Sequence, residues 1–489
     1  MDDALLVIDE GTSSTRAVLV EADGRFARVA QYPLATAFPQ PGWVEQDASE
    51  IWELTLKAAR RAVGDDIARV QAIGITNQRE TVVAWDSVTG EPLGPAIVWQ
   101  DRRTAEACAA LREDGHEREV QRRTGLLLDP YFSATKMRWM LDQWPKLRAA
   151  GDRLRFGTID SWLMFKLTGG SHLSDATNAS RTALMNLVGG WDEGLCDLFG
   201  VPRSALPDVT ASAGDLANAS AEWLGRSIPI CGVAGDQQAA AIGQACLEPG
   251  ETKATFGTGA FILTHAGSSP PTSANRLLST VAWQLGSERT YALEGSLFVA
   301  GQMIQWLRDE LGLIASSAET AALAASVASS DGVCIVPAFA GLGAPHWDAD
   351  ARGAVLGLTL ATGKPHLVRA ALEAVANQCA ELQRAFASDG VHWSSLRIDG
   401  GMAANDFLAQ DLADVLGLPV ERPANVESTV LGAAILAAVG CGLYPTLAQA
   451  ASAMRGAVTH FTPRLADKVR ASRISEWDRS VEAVRRVGS

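Results

Sequence analysis

Nothing in this sequence pairs its cysteines. The seven stand singly from Cys108 to Cys441 with no Cys-x-x-Cys spacing, and the seven histidines are equally dispersed. That pattern argues against structural zinc, so any bound metal is expected to rest on carboxylates. A membrane-length apolar run is also missing. The longest, Val430 to Tyr444, includes three glycines and falls short of the roughly 20 residues that span a bilayer; its Gly and Ala content predicts a tightly packed core helix. Positive charge is in deficit, with 42 Lys and Arg against 56 Asp and Glu and a net charge of −14. Nucleic acid and anionic membranes are therefore poor partners, because both select an excess of cations. Two nucleotide signatures are absent as well. Gly357 to Gly363-Lys364 has five residues between its glycines and Pro365 where a P-loop needs Ser or Thr, and no strand leads into Gly-x-Gly-x-x-Gly.

What is present describes an ordinary globular protein. Hydrophobic residues make up 47% of the 489 and charged residues 20%, without blocks, which excludes disorder. The length exceeds what one hydrophobic core supports, so two large domains are expected. The start, Met1-Asp2-Asp3-Ala4, is acidic where a secretory signal is basic, and predicts a cytoplasmic, reducing location.

The apolar run Leu5 to Ile8 ends in Asp9-Glu10-Gly11-Thr12 and is followed by Arg16 to Val20, which reads as two strands around a polar turn. The pattern recurs at Lys253 to Phe256, Gly257-Thr258-Gly259 and Ala260 to Thr264, so the halves begin alike. Further strands are expected at Ala72–Thr76, Ile228–Val233, Val333–Val336 and Leu396–Ile398, the last before a helix at Ala403–Gly417. Strands alternating with helical stretches favour α/β layers with largely parallel sheets. Glu248-Pro-Gly-Glu251 suggests the division, giving an N-terminal domain of 1–246 and a C-terminal domain of 247–489.

Four turns carry chemistry. Asp9 to Arg16 sets a carboxylate at a strand end beside a Gly, Ser and Thr run able to cradle phosphate, and the carboxylate suits Mg²⁺. The same residues read equally as a plain hairpin turn, until Gly257-Thr258-Gly259 supplies its counterpart across a cleft. Asn77-Gln78-Arg79-Glu80-Thr81 offers donors and acceptors for neighbouring hydroxyls, or else is a solvated loop. Gly235-Asp236-Gln237-Gln238 places Asp236 at a helix start, as an N-cap or as a general base. Asp399-Gly400-Gly401 with Asn405 is a strand-to-helix turn open to a flat ligand such as adenine. Trp99, Tyr131 and Phe261 are aromatics near these turns that read by themselves as packing.

Together these segments resemble the FGGY carbohydrate kinase family from about residue 4 to about residue 450. Tyr131 to Gln143 resembles its first signature, and Gly353 to Leu358 through His366 to Glu373 its second. Pro41 to Asp47, Ile75 to Thr81, Ile97 to Thr104, Asp129 to Phe132, Thr177 to Thr182 and Gly341 to Pro345 are similar to the members that phosphorylate glycerol. The resemblance implies two actin-like (ribonuclease H-like) α/β domains with a catalytic cleft between them, ATP and Mg²⁺ as nucleotide and metal, and a homo-oligomer, dimer or tetramer. It assigns glycerol to Arg79, Glu80, Trp99, Tyr131, Asp236, Gln237 and Phe261, and the nucleotide to Thr12, Ser13, Ser14, Arg16, Thr258, Gly301, Gln305, Gly401 and Asn405. Asp9 and Asp236 would lie near Mg²⁺, with Asp236 as the base.

One departure is Glu10, where such members usually carry Gln; it is expected to add negative charge beside the phosphates. Another is Ser220 to Ser227. Members inhibited by fructose 1,6-bisphosphate have a glycine-rich loop ending in Arg here, whereas this segment has one glycine, Glu222, Trp223 and Arg226. It also lacks the histidine phosphorylated in other members. Insensitivity to the bisphosphate is the expectation. Rival readings are a kinase for another small polyol or ketose, a catalytically silent polyol sensor, and an actin- or chaperone-like ATPase. Beyond about Ala450 only terminal helices are expected.

Overall fold

The computed structural model of the chain describes residues 3–348, 350–425 and 427–488. Among them one 13-stranded sheet runs through the molecule. Its N-terminal strands are β1 (Ala4–Glu10), β2 (Ser14–Glu21), β3 (Phe26–Pro33), β4 (Val70–Asn77), β5 (Ala213–Ala219) and β6 (Ile228–Gly235). The C-terminal strands are β7 (Glu251–Phe256), β8 (Ala260–Gly267), β9 (Leu278–Leu285), β10 (Glu288–Leu297), β11 (Ser395–Asp399), β12 (Val420–Pro423) and β13 (Val458–Phe461).

The spatial order is a duplication. The first half reads β3-β2-β1-β4-β6-β5 and the second β10-β8-β7-β11-β12-β13, with β9 added beside β10. In each half a leading hairpin is antiparallel, three strands run parallel, and an antiparallel strand closes the far edge. A single bridge, Ala213 to Leu285, joins the halves edge to edge. The expectation of two like α/β units is thus met, with their sheets continuous across the junction.

Strands buried on both faces read as continuous apolar runs, and Ala4 to Ile8 of β1 are fully buried. The helices that frame the site are α1 (Ala48–Val63), α2 (Ala176–Ala179), α3 (Asp236–Gly243), α4 (Gly301–Asp309), α5 (Lys364–Ser388), α6 (Asp406–Leu416), α7 (Ser428–Gly440) and α8 (Asp467–Gly488). The glycine-containing run expected as a core helix is α7, apolar on every side and buried from Val430 to Ala438. Although it belongs to the second half, α7 lies on the N-terminal sheet. A Cβ on Gly74 of β4 would stand 2.5 Å from the Ala433 carbonyl oxygen, so glycine sets that approach.

Two expectations need correction. Residues Cys334–Val336 do form a strand, but it pairs with Ala354–Leu356 in a separate two-stranded ribbon. The segment beyond Ala450 is more than helix: β13 adds to the main sheet before α8 packs across the second domain.

Candidate active site

Parallel neighbours β1, β4 and β6 end at one edge of the sheet, where open α/β sheets present ligand-binding turns. Asp9 stands near the end of β1, Asn77-Gln78-Arg79-Glu80 leaves β4, and Asp236 follows the last residue of β6 to begin α3. Glu80 takes a left-handed backbone, φ 61°, which is strained for a side chain of its size. Ser133 Oγ at 3.0 Å and the buried Lys136 Nζ at 3.4 Å donate to its carbonyl and hold it there. Burial lowers the Lys136 ammonium to about 8, and its stronger bond, 2.6 Å, goes to the Tyr131 carbonyl. The Tyr131 and Glu80 backbones are thereby tied to one cation. Gly235 has no room for a Cβ, which would meet the Arg79 side chain at 2.7 Å.

The side chains form a closed ring of charge. Arg79 Nη1 lies 2.6 Å from Glu294 Oε2, Arg181 Nη2 lies 2.9 Å from Glu294 Oε1, and Arg181 Nε lies 2.6 Å from Glu80 Oε1. Arg79 Nε closes the ring 3.8 Å from Glu80 and reaches 3.3 Å to Asp236 Oδ1. Removing one member would strand a buried partner, which costs more than the intact ring contributes. Burial alone would raise Glu294, but Arg181 and Arg79 outweigh it and hold the carboxyl at about 2. For Glu80 and Asp236 burial wins, and both carboxyls are raised. Asp236 is the open member, its side chain 34% exposed against 4% or less around the ring. The buried Lys253 donates to Gln237 Oε1 and adds a cation beside Asp236. With its oxygen engaged, Gln237 has its amide N–H₂ to offer.

Trp99 and Tyr131 join the same wall. Their rings meet edge to face at 5.6 Å, Trp99 Nε1 donates to Thr12 Oγ1 at 2.9 Å, and the Tyr131 hydroxyl lies 3.5 Å from Arg79. Phe261 is half-buried on β8, in register with Ser296, two residues beyond Glu294 on β10.

Above this cluster lies the first turn. Thr12 and Ser14 are half-buried and Ser13 exposed, while Arg16 clamps Asp9 at 2.5 Å and also pairs with Glu427 of the second half. In the second turn the Thr258 carbonyl accepts from the Ala300 and Gln302 amides at 2.9 and 3.0 Å, docking the turn on the start of α4. Thr258, Gly301, Gln305, Gly401 and Asn405 all line one cavity of about 530 Å³. Asn405 shapes its wall with both amide atoms committed: Oδ1 accepts from Leu408 N at 3.1 Å and Nδ2 donates to Thr320 Oγ1 at 3.0 Å.

Glu10 departs from expectation. It is fully buried, accepting from Thr15 Oγ1 at 2.9 Å and Thr55 Oγ1 at 3.1 Å, away from the phosphate turn. Burial raises it to about 8, against hydrogen bonds from Thr15 and Thr55. Burial thus favours the neutral acid, and both oxygens are engaged by hydroxyls inside the fold.

Sequence reading missed Arg181, Glu294, Lys253 and Arg308, the last a further wall of the 530 Å³ cavity. Little in the local pattern marks Glu294 and Lys253, because their strands carry further polar and charged residues, Glu288-Arg289-Thr290 in one and Glu251-Thr252 in the other.

Comparison with known proteins agrees with this architecture. The profile of the N-terminal domain of the FGGY family of carbohydrate kinases matches residues 4–243, and that of its C-terminal domain matches residues 252–441. This chain belongs to the FGGY family. Among curated FGGY relatives, a protein named glycerol kinase from Alkalilimnicola ehrlichii is 52% identical over 99% of this chain and 98% of its own. Another of that name, from Methylobacterium nodulans, is 52% identical over 98% and 97%. Plasmodium falciparum glycerol kinase, solved with ADP, superposes with a TM-score of 0.95 at 34% identity, covering 99% of this chain and 98% of that one.

Proposed function

We propose that this FGGY kinase transfers the γ-phosphoryl group of ATP to a terminal hydroxyl of glycerol, forming sn-glycerol 3-phosphate and ADP. The observation that carries the reading is Asp236. It is a carboxyl raised by burial yet 34% exposed at the start of α3, 3.3 Å from Arg79 of the buried charge ring. Full-length similarity to proteins named glycerol kinase supports the same substrate.

Arg79 and Glu80 hold two hydroxyls, Gln237 presents its amide donor, and Trp99, Tyr131 and Phe261 wall off the carbon chain. The remaining hydroxyl oxygen attacks the γ-phosphorus, Asp236 takes its proton, and the β–γ bridging oxygen leaves with ADP. Thr12, Ser13, Ser14, Arg16 and Thr258 face the phosphates, and Gly301, Gln305, Gly401 and Asn405 enclose the adenosine. Among the described residues no group of three or more His, Cys, Asp or Glu side chains is set to hold a metal. Two carboxylates stand here, Asp9 and Asp236, both raised chiefly by burial, with Asp9 adding to the rise of Asp236, and such a pair with substrate phosphates and water fits Mg²⁺. Bound there, the ion supplies neutralisation of phosphate charge.

The domain boundary falls between residues 246 and 247 in this reading. The enzyme is a cytoplasmic homo-oligomer, dimer or tetramer; among the described residues no helix is long and apolar enough to cross a membrane. Purified protein with MgATP should release ADP on adding glycerol and much less with other small polyols or ketoses. Asp236→Asn should fold normally and lose kcat by roughly 10²-fold or more. Near-normal turnover would remove Asp236 from the reaction.

A further inference from the structure

Asn77 and Gly235 are partners in the register of β4 and β6. The residues that follow them diverge in role, Arg79 and Glu80 after one strand and Asp236 after the other. A network of fully buried groups ties both strand ends to a single carboxylate that never reaches the cleft.

Asp175 caps α2, accepting from the Thr177 amide at 2.9 Å and the Asn178 amide at 3.0 Å. Ser212 Oγ adds a bond at 2.8 Å from β5's approach. Two side-chain branches leave this anchor. In the first, Thr177 Oγ1 donates to Asp175 at 2.9 Å and accepts from the Gly235 amide at 2.9 Å, the last backbone donor before Asp236. In the second, Asn178 Nδ2 donates to Asp175 at 2.9 Å and to Asn77 Oδ1 at 3.1 Å. Asn77 Nδ2 returns a bond of 2.9 Å to Asn178 Oδ1 and holds the Gln78 carbonyl at 2.9 Å.

We infer that Asp175, Thr177 and Asn178 are positioning residues that set the place of the base and the place of the polyol clamp independently, one branch for each. The inference rests on the reading of Asp236 as base and of Arg79 and Glu80 as the glycerol clamp. In a low-dielectric interior each bond is strong and an orphaned partner costly. A branch therefore acts as a rigid strut, and shifting a reacting group by about 1 Å is enough to cost up to 10²-fold in rate. The residues are buried, touch no substrate, and can influence the reaction only through the backbone they hold.

Adjacent residues should then give opposite kinetic signatures. Thr177→Val frees the Gly235 amide and should lower kcat about 10-fold or more with the glycerol KM within about 2-fold. Asn178→Ala frees Asn77 and should raise the glycerol KM about 10-fold with kcat within about 2-fold. Neither should move the MgATP KM, and Thr177→Ser, which keeps the hydroxyl, should restore wild-type values. If Asn178→Ala does not fold, Asn77→Ser cuts the same pair from the other side and must show the same KM signature. Loss of kcat and KM together in both variants, in step with lowered Tm, would overturn the inference while leaving an active wild-type enzyme and its proposed function intact. A wild-type protein inactive on glycerol would overturn both.

Discussion

Successive side chains of a strand point to opposite faces, and on β1 this separates two adjacent carboxylates. Asp9 turns to the cleft and Arg16, while Glu10 turns under the sheet to Thr15 and Thr55. The expectation that Glu10 adds charge beside the phosphates left out this alternation, which separates it from Asp9. Burial sets the protonation of Glu10, and this has a consequence for stability. Its folded value of about 8 lies above the ordinary 4.5, so between those values the folded state holds a proton that the unfolded chain has lost. Stability from this group is full below about 4.5 and is lost as pH rises through about 8. Glu10→Gln is neutral at every pH, so its Tm should match wild type at pH 5 and exceed it by about 2–5 °C at pH 9. Thermal melts across that range check this, and a pH-independent difference would refute it.

At the scale of elements, the turn Ala221–Leu224 and the residues after it close a surface that a sugar bisphosphate would need open. Trp223 packs edge to face on Trp52 of α1 at 5.0 Å. Arg226 spends its guanidinium on the carbonyls of Ala68 at 3.3 Å and Val70 at 2.9 Å, leaving no backbone nest around a free cation. Initial rates at subsaturating glycerol should stay flat as fructose 1,6-bisphosphate rises into the millimolar range. Saturable inhibition that vanishes in Arg226→Ala would prove this turn regulatory. Elements were legible where burial was two-sided: β1, β4, β6, β7, β8 and β11 announce themselves as apolar runs or hairpins. The edge strands did not. In β5, Ala-Gly-Asp-Leu-Ala-Asn-Ala, two of seven residues are exposed, and in β13, Val-Thr-His-Phe, two of four, and short stretches of mixed polarity give little signal. The turns bearing Asp9, Arg79, Asp236 and Thr258 were readable because each ends a strand in a run of polar residues, with glycine in three of the four. The countercharges Arg181 and Glu294 were not, since only folding brings residues so far apart in sequence onto Arg79 and Glu80.

On the scale of the whole molecule, the duplicated halves do not merely abut. The first half ends in α3, which begins with Asp236, and the second lays α7 across it, backbone against backbone. Asp399 fastens the crossing, accepting from Gln244 Nε2 at 2.7 Å just past α3 and from Ser428 Oγ at the start of α7. Arg16 and Glu427 add a second tie between the halves at the cleft. The crossing has no space for side chains: a Cβ on Gly432 would stand 1.7 Å from the Ala239 carbonyl oxygen, and one on Gly243 would stand 1.9 Å from that of Ser428. Both obstacles are backbone, so a methyl group must push the helices apart. Gly432→Ala should therefore destabilise the protein by about 1–3 kcal/mol. Because α3 carries Asp236 on its first turn, kcat should fall with it by about 10-fold or more. Gly190→Ala is the control, since no atom lies within 4 Å of its Cβ, and a surface change of that kind stays within about 0.5 kcal/mol. Melting temperature and turnover measured on both variants separate the cases. Wild-type values for Gly432→Ala would mean that the helices can part without moving Asp236, and that the glycine crossing does not set the distance between the halves.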